Sequence, residues 1–223
     1  MQEVLEGEGE TASLNRIARL MAKDGLKGIP QKRQWRSKAS GERPAYVRNH
    51  LERDFSASEP NTKWVTDITY IHTAERWLYL CAVIDLFGGK VVGWATSIRQ
   101  DRDLVLRAVL MACWQRPARK PVILHSGRGT QFTSYAYQQF LKDHHITLSM
   151  SAVGYCGDNA PAEGFFGILK RERINRRRYR TVADARADVF DYIERFHNPR
   201  IQRRLDSLTE GKNALTQLSA ETG

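Results

Sequence analysis

Residues 64–96, WVTDITYIHTAERWLYLCAVIDLFGGKVVGWAT, decide the fold. Trp64 to Ile71 is dense in β-branched and aromatic side chains, which favours a strand. Trp77 to Ile84 is a second apolar run, Asp85-Leu86-Phe87-Gly88-Gly89 reads as a turn, and Lys90 to Thr96 is a third strand. Three neighbouring strands joined by short turns make an antiparallel meander. Downstream the pattern changes. Asp101 caps a helix running through Arg116, Val122 to His125 is a short strand of buried type, Thr133 to His144 a helix and Ile146 to Met150 a strand. Alternation of β and α at this spacing predicts parallel strands added to the same sheet. A helix follows from about Asn159 to Arg173, and another from Val182 to Phe196, opened by a capping-box spacing at Thr181 and Asp184. The sum is an α/β fold with a mixed five-stranded sheet flanked by helices.

Outside this body the chain is less regular. ASLNRIARLMAKDGL, residues 12–26, places Leu14, Ile17 and Leu20 or Met21 at helical spacing, and Lys27-Gly28-Ile29-Pro30 ends the pattern. From Lys32 to Arg53 seven basic residues face two glutamates, with Gly41 and Pro44 as breakers, which reads as a basic linker. The expected organisation is a helical segment at 1–30, a linker at 31–60, a core at 61–209 and a loose polar tail at 210–223.

Charge points to a partner. The 223 residues carry 35 Lys and Arg against 25 Asp and Glu, a formal net charge of +10. Glu3, Glu6, Glu8 and Glu10 have no basic neighbour within the first ten residues, so the excess on the rest is larger still. Such a surplus predicts a polyanion, most often nucleic acid; the plainer alternative is a solvated surface kept for solubility. The longest uncharged apolar run, Trp77 to Ile84, is eight residues, against roughly 20 for a bilayer span. No leader pattern precedes it. Cys81, Cys113 and Cys156 form no CxxC, so neither a disulfide framework nor a zinc ribbon is encoded. A reducing cytoplasm is the expected location, with no membrane partner.

Two carboxylates stand in suggestive places. Asp67 interrupts an apolar strand, where a charge is costly unless it is paired or meets a cation. Glu163 lies early in the helix that starts at DNAPAE. Facing oxygen ligands of this kind suit Mg²⁺, although Glu in a first turn favours the helix dipole in any case. Lys170 lies seven residues on, about two turns and so on the same helical face, placed to meet a phosphate. The segment 170–180, KRERINRRRYR, adds Arg171, Arg173, Arg176, Arg177 and Arg178 as candidate DNA contacts; a solvated helix end is the alternative. Arg36, Lys38, Arg43 and Arg48 add possible phosphate contacts, and Trp35 and Tyr46 are available either to stack on bases or to pack. Six histidines show no HxxxH or HExxH, and no Walker loop, GxSxG elbow or dinucleotide fingerprint appears.

The ordered motifs WVTDITYIHT, WLYLCAVIDLFGGKVVGWA, LHSGRGTQFTS, ITLSMSAVGYCGDNAPAEGFFGILKRE and FHNPRIQRRL closely resemble the catalytic core of bacterial transposases of the IS-three (insertion sequence three) family. The resemblance runs from about Asn61 to Leu205. It implies a ribonuclease H-like fold similar to retroviral integrases. It also implies an Asp, Asp, Glu triad holding two Mg²⁺ (or Mn²⁺) ions, with Asp67 as the first carboxylate and Glu163 as the third. The family's HSDRG reads His125-Ser126-Gly127-Arg128-Gly129 here, so the second carboxylate is replaced by Gly127. Thirty-five residues separate Gly127 from Glu163, the interval usual in this group, so the frame is correct and the residue is changed. Gly164 stands where the family usually has Ser, and residues 1–30 resemble only the end of the family's helix-turn-helix region. His125 shares the strand face with Gly127, but imidazole is a poor Mg²⁺ ligand. Asp85 is expected to serve a turn, and Asp158 and Asn159 to cap the catalytic helix.

The resemblance therefore implies a transposase that cleaves and joins DNA in transposition and integration. Its partners would be transposon-end and target DNA, bound as a homo-oligomer, with chemistry impaired at Gly127. The alternative is a catalytically dead DNA-binding relic or regulator of active transposase.

Overall fold

The computed structural model describes residues 11–26, 48–116, 120–127, 129–151 and 156–221, with isolated positions before residue 11; the side chains of 156–157 and 211–221 are left aside. Two compact units divide the chain, 1–36 and 37–223. In the first, α1 (Leu14–Lys23) is capped by Ser13, whose hydroxyl accepts the Arg16 N–H, and its apolar stripe buries only Ile17.

The second unit holds β1 (Lys63–His72), β2 (Trp77–Asp85), β3 (Val91–Ser97), α2 (Arg102–Gln115), β4 (Val122–Ser126), α3 (Tyr135–Asp143), β5 (Ile146–Met150), α4 (Ala160–Glu172) and α5 (Val182–Phe190). After α5 come a π-helical stretch, Asp191–His197, and α6 (Asn198–Glu221). Strand order is β3-β2-β1-β4-β5, with β1 to β3 antiparallel and β4 and β5 added in parallel. The expected mixed sheet is present, with its strand boundaries within a residue or so.

Alternation along the strands fills two cores, one on each face of the sheet. On one face Val65, Ile71, Leu80 and Ala82 pack against Phe165, Phe166 and Leu169 of α4 and Ala185 and Val189 of α5. On the other, Trp64, Cys81, Val83 and Leu124 pack against Leu104, Ala108 and Ala112 of α2 and Tyr137 and Leu141 of α3. Gly93 on β3 faces α2 so closely that a Cβ would collide with the Ala108 carbonyl oxygen, so only glycine permits this approach. The turn after β2 uses Gly89 at φ 84° and is closed by Asp85, whose carboxylate accepts N–H bonds from Asn61 (2.9 Å) and Phe87 (3.1 Å). Asp85 therefore has the expected turn role.

Three expectations are corrected. The helix read as Thr133–His144 is a short 3₁₀ turn, Thr130–Phe132, followed by α3, because Ser134 takes the N-cap and accepts the Tyr137 N–H. The helix read as Val182–Phe196 changes to π geometry at Asp191 and then runs on as α6. The stretch after Glu210, read as loose from its polarity, continues α6 to Glu221; Ala, Leu, Lys and Gln there are good helix formers. The capping box at Thr181 and Asp184 forms in full. Of the basic linker, residues 31–47 lie outside the described residues. No helix among the described residues is long and apolar enough to cross a membrane.

Candidate active site

β1 and β4 run parallel only from the Lys63–Ile123 pair to the Thr66–Ser126 pair. Beyond it β4 stops, while β1 continues for six residues beside β2 alone. Between these two strands the chain order also reverses direction across the sheet, with β2 and β3 on one side and β4 and β5 on the other. In open α/β sheets the crevice outside the carboxyl ends at such a switch point is where ligands bind. The first residues past the pairing are Asp67 and Gly127.

They are neighbours. Among the described residues, a Cβ built on Gly127 would meet one atom at the edge of contact, Asp67 Oδ1 at 4.0 Å. Asp67 is half-buried and accepts the Ile68 N–H at 2.8 Å; burial pushes its carboxyl up, and that single bond only partly opposes it. Glu163, in the first turn of α4, is also raised, first by burial and then by the negative charge of Asp67. The fold thus brings the first and third predicted carboxylates within electrostatic reach of each other, with Gly127 beside the first.

Asn159 fixes that approach. Its side-chain amide donates to the Thr66 carbonyl at 3.2 Å, bolting the start of α4 to β1 one residue before Asp67. The expected cap role is therefore corrected: the Asn159 side chain makes no capping bond, and Asp158 is ion-paired with Arg53 at 2.7 Å. Pro161 in the first turn of α4 suits a helix start, where its missing N–H costs nothing. Gly164 and Gly167 have open space where a Cβ would stand, so neither is required by packing.

His125 is committed elsewhere. It is fully buried, with Nδ1 2.8 Å from Ser149 Oγ and Nε2 3.0 Å from Ser151 Oγ. Ser149 Oγ already accepts the N–H groups of His50 and Leu51, so its proton goes to Nδ1. Nε2–H then donates to Ser151, whose hydroxyl reaches the Ser126 carbonyl at 3.4 Å. The imidazole wires β4 to β5 and has no lone pair to offer a cation. Among the described residues no three His, Cys, Asp or Glu side chains form a metal-binding group; Asp67 and Glu163 are a pair. Two polar atoms at this end, Ser126 Oγ and Asn159 Oδ1, are buried without a hydrogen-bond partner. Hard oxygen donors, two carboxylates whose pKa values are raised first by burial, and unpaired neighbouring oxygens fit a divalent cation.

The basic segment is divided. Lys170 Nζ lies 4.7 Å from the centre of the Tyr70 ring, and burial lowers its pKa. Arg173 pairs with Asp188 (3.2 Å) and Asp191 (3.0 Å), and Arg177 with Asp188 (2.7 Å), so both are partly spent on structure. Arg176 is exposed and its Nε donates to the Arg171 carbonyl, while Arg178 is exposed and Arg171 half-buried. Tyr179 pins the segment to the β1–β2 turn by a bridge to Thr73 and donates its hydroxyl to Asp188 at 2.6 Å. Sequence reading missed the Asp188 hub and the Asn159 bolt; the DNAPAE motif carried the signal for the second, whereas nothing local marks the first. Trp35, Tyr46, Arg36, Lys38 and Arg43 lie outside the described residues; Arg48 is exposed.

Known proteins are similar to this chain in sequence and fold. Integrase core domain families match residues 57–156 and 163–216. The chain is 48% identical over 150 residues to the transposase InsF for insertion sequence IS3A of Escherichia coli (strain K12), covering 67% of this chain and 52% of that protein. It therefore spans about half the length of the InsF relatives it matches. It is 38% identical over 200 residues to the transposase for insertion sequence element IS904 of Lactococcus lactis subsp. lactis (strain IL1403), covering 88% of this chain and 78% of that protein. Among solved structures, the catalytic domain of Mos1 mariner transposase superposes with a TM-score of 0.51 at 12% identity, over 64% of this chain and 76% of that one. That domain has also been solved with Mg and raltegravir. The shared architecture is ribonuclease H-like.

Proposed function

This chain belongs to the IS3 family of insertion-sequence transposases with an integrase core, and from that premise we propose that it is a DNA-binding transposase core disabled by Gly127. Members act in DNA transposition. The proposed chemistry of an intact core is divalent-metal-dependent phosphodiester cleavage and strand transfer on transposon-end and target DNA, with several copies assembled on DNA in the bacterial cytoplasm. Residues 61–209 form the core in this reading, 1–30 are a remnant of the helix-turn-helix region, 31–60 a basic linker and 210–223 a terminal extension.

Asp67 and Glu163 are the ligands that would hold Mg²⁺ or Mn²⁺, which when bound stabilises the attacking and leaving oxygens of an in-line displacement at phosphorus. Asn159 holds Glu163's helix against Asp67's strand, so the two carboxylates act on one phosphate. Lys170, on the same helix, orients that phosphate. Arg171, Arg176 and Arg178 follow the DNA backbone, with Arg173 and Arg177 contributing what Asp188 leaves of their charge.

One observation carries this reading: the Cβ direction of Gly127 opens onto Asp67 Oδ1 at 4.0 Å. That distance supports reading position 127 as the place of the second carboxylate. If about 4 kcal/mol of transition-state stabilisation goes with it, the rate falls roughly a thousandfold. The test compares the purified chain with its Gly127→Asp variant on labelled insertion-sequence-end DNA with Mg²⁺ or Mn²⁺. Cleavage and joining by the variant alone supports the reading; equal activity of both chains overturns it.

A further inference from the structure

Two turns along α4 from Glu163, the exposed end of β1 and the start of β2 form a groove of about 520 Å³ with no carboxylate among its lining side chains. Its floor is aromatic. Trp77 and Tyr70 remain 46% and 58% exposed, meeting edge to face at 5.2 Å and 89°. His72 supports Trp77 from the facing register position, at 4.8 Å. Its rim is cationic: Lys170 over the Tyr70 ring, and Arg177 and Arg178 from the segment that Tyr179 pins to the same strand end.

Single exposed aromatic residues are ordinary. Two rings held at right angles, with Lys170 and Arg178 around them and Arg177 sharing its charge with Asp188, make a stacking platform under an anion-binding rim. This combination takes nucleotides, since each base has a π-face and each link a negative charge. A base inside a duplex has both faces covered by its neighbours, so only an unpaired or terminal base can use such a platform. Seven residues of α4 separate Glu163 from Lys170, about 10 Å along the axis, or about three base steps at 3.4 Å.

We propose that Tyr70 and Trp77, rimmed by Lys170, Arg177 and Arg178, bind an unpaired base of a DNA strand within about three nucleotides of the phosphate held between Asp67 and Glu163. The proposal rests on the DNA-processing reading above and adds single-strand character to its substrate. Its function would be to hold a frayed strand end while the backbone is presented to the carboxylates.

The test uses the full chain and two DNA probes, a blunt duplex and the same duplex with a three-nucleotide single-stranded overhang carrying a fluorescent base analogue. The wild type is expected to prefer the overhang, with quenching of the analogue. Trp77→Leu keeps apolar bulk but removes the ring, and should weaken overhang binding roughly fivefold to a hundredfold while blunt-duplex affinity stays put. Trp77→Phe should retain most of the preference, which separates stacking from a folding defect. Lys170→Ala should weaken both probes and flatten the salt dependence. If wild type binds both probes equally, or Trp77→Leu lowers both alike, the platform is wrong while the DNA reading stands. If neither probe binds, both fall.

Discussion

Two carboxylates, half-buried Asp67 at the crevice and buried Asp188 in α5, lie in one fold under opposite conditions. Asp188 is met by Arg173, Arg177 and the Tyr179 hydroxyl, three donors supplied by a single stretch of chain. Asp67 has the Ile68 N–H alone against the cost of its burial, and its charge raises the pKa of a second carboxylate, Glu163. A buried charge with complete partners is structure; one left short is stability given up for a partner from outside. The helix of Glu163 ends in the segment that satisfies Asp188, so the well-paired region is the footing on which the poorly paired one is held open.

The comparison breaks most easily at Asp188. Asp188→Ala leaves Arg173 only Asp191 and takes from Arg177 and the Tyr179 hydroxyl the carboxylate they share, and should cost about 3 kcal/mol, the low end for a buried pair because Arg177 is half-exposed. Urea unfolding should show a lower midpoint with an unchanged slope. A loss below about 0.5 kcal/mol would mean that the hub is not structural. Asp67→Asn should go the other way, keeping the shape, removing the desolvated charge and stabilising the chain by about 1 kcal/mol. In the Gly127→Asp background the same change should abolish cleavage. A destabilised Asp67→Asn chain would place Asp67 with Asp188 among the structural carboxylates.

The smallest effect concerns pH. His197 is buried, with Nε2–H donated to the Gly89 carbonyl at 3.0 Å and Nδ1 without a partner, and burial lowers its pKa below 6.5. A histidine held neutral in the fold but protonated more easily when unfolded stabilises above pH 6.5 and loses that contribution as pH falls below it. Unfolding free energy of wild type should therefore drop between pH 6.5 and 5, and His197→Gln should flatten that slope. An identical slope in both would assign the acid sensitivity elsewhere.

Most of the sheet was legible in sequence because strands of this kind are written locally: β-branched runs, a Gly-Gly turn, then a change of period at Asp101. Asp67 is legible as a candidate because a charge in an apolar strand is visible along the chain, and Gly127 as a departure only through the motif interval of the family it resembles. The terminal helix was misread because polarity was taken for looseness where propensity favoured α6. The π geometry after Phe190 has no local signature comparable to a cap.

Sequence by itself determined the order of elements and the basic excess, properties of type and spacing, while the roles expected of Asp67, Glu163 and Gly127 came from the family resemblance. Only the tertiary structure decided that Gly127 opens onto Asp67, that His125 is tied up between two serines, that Arg173 and Arg177 answer to Asp188, and that Tyr70 and Trp77 meet Lys170. Each of these joins residues distant along the chain, and which donor reaches which acceptor follows from sheet register and helix placement, which the pattern of side chains in one strand or helix does not encode.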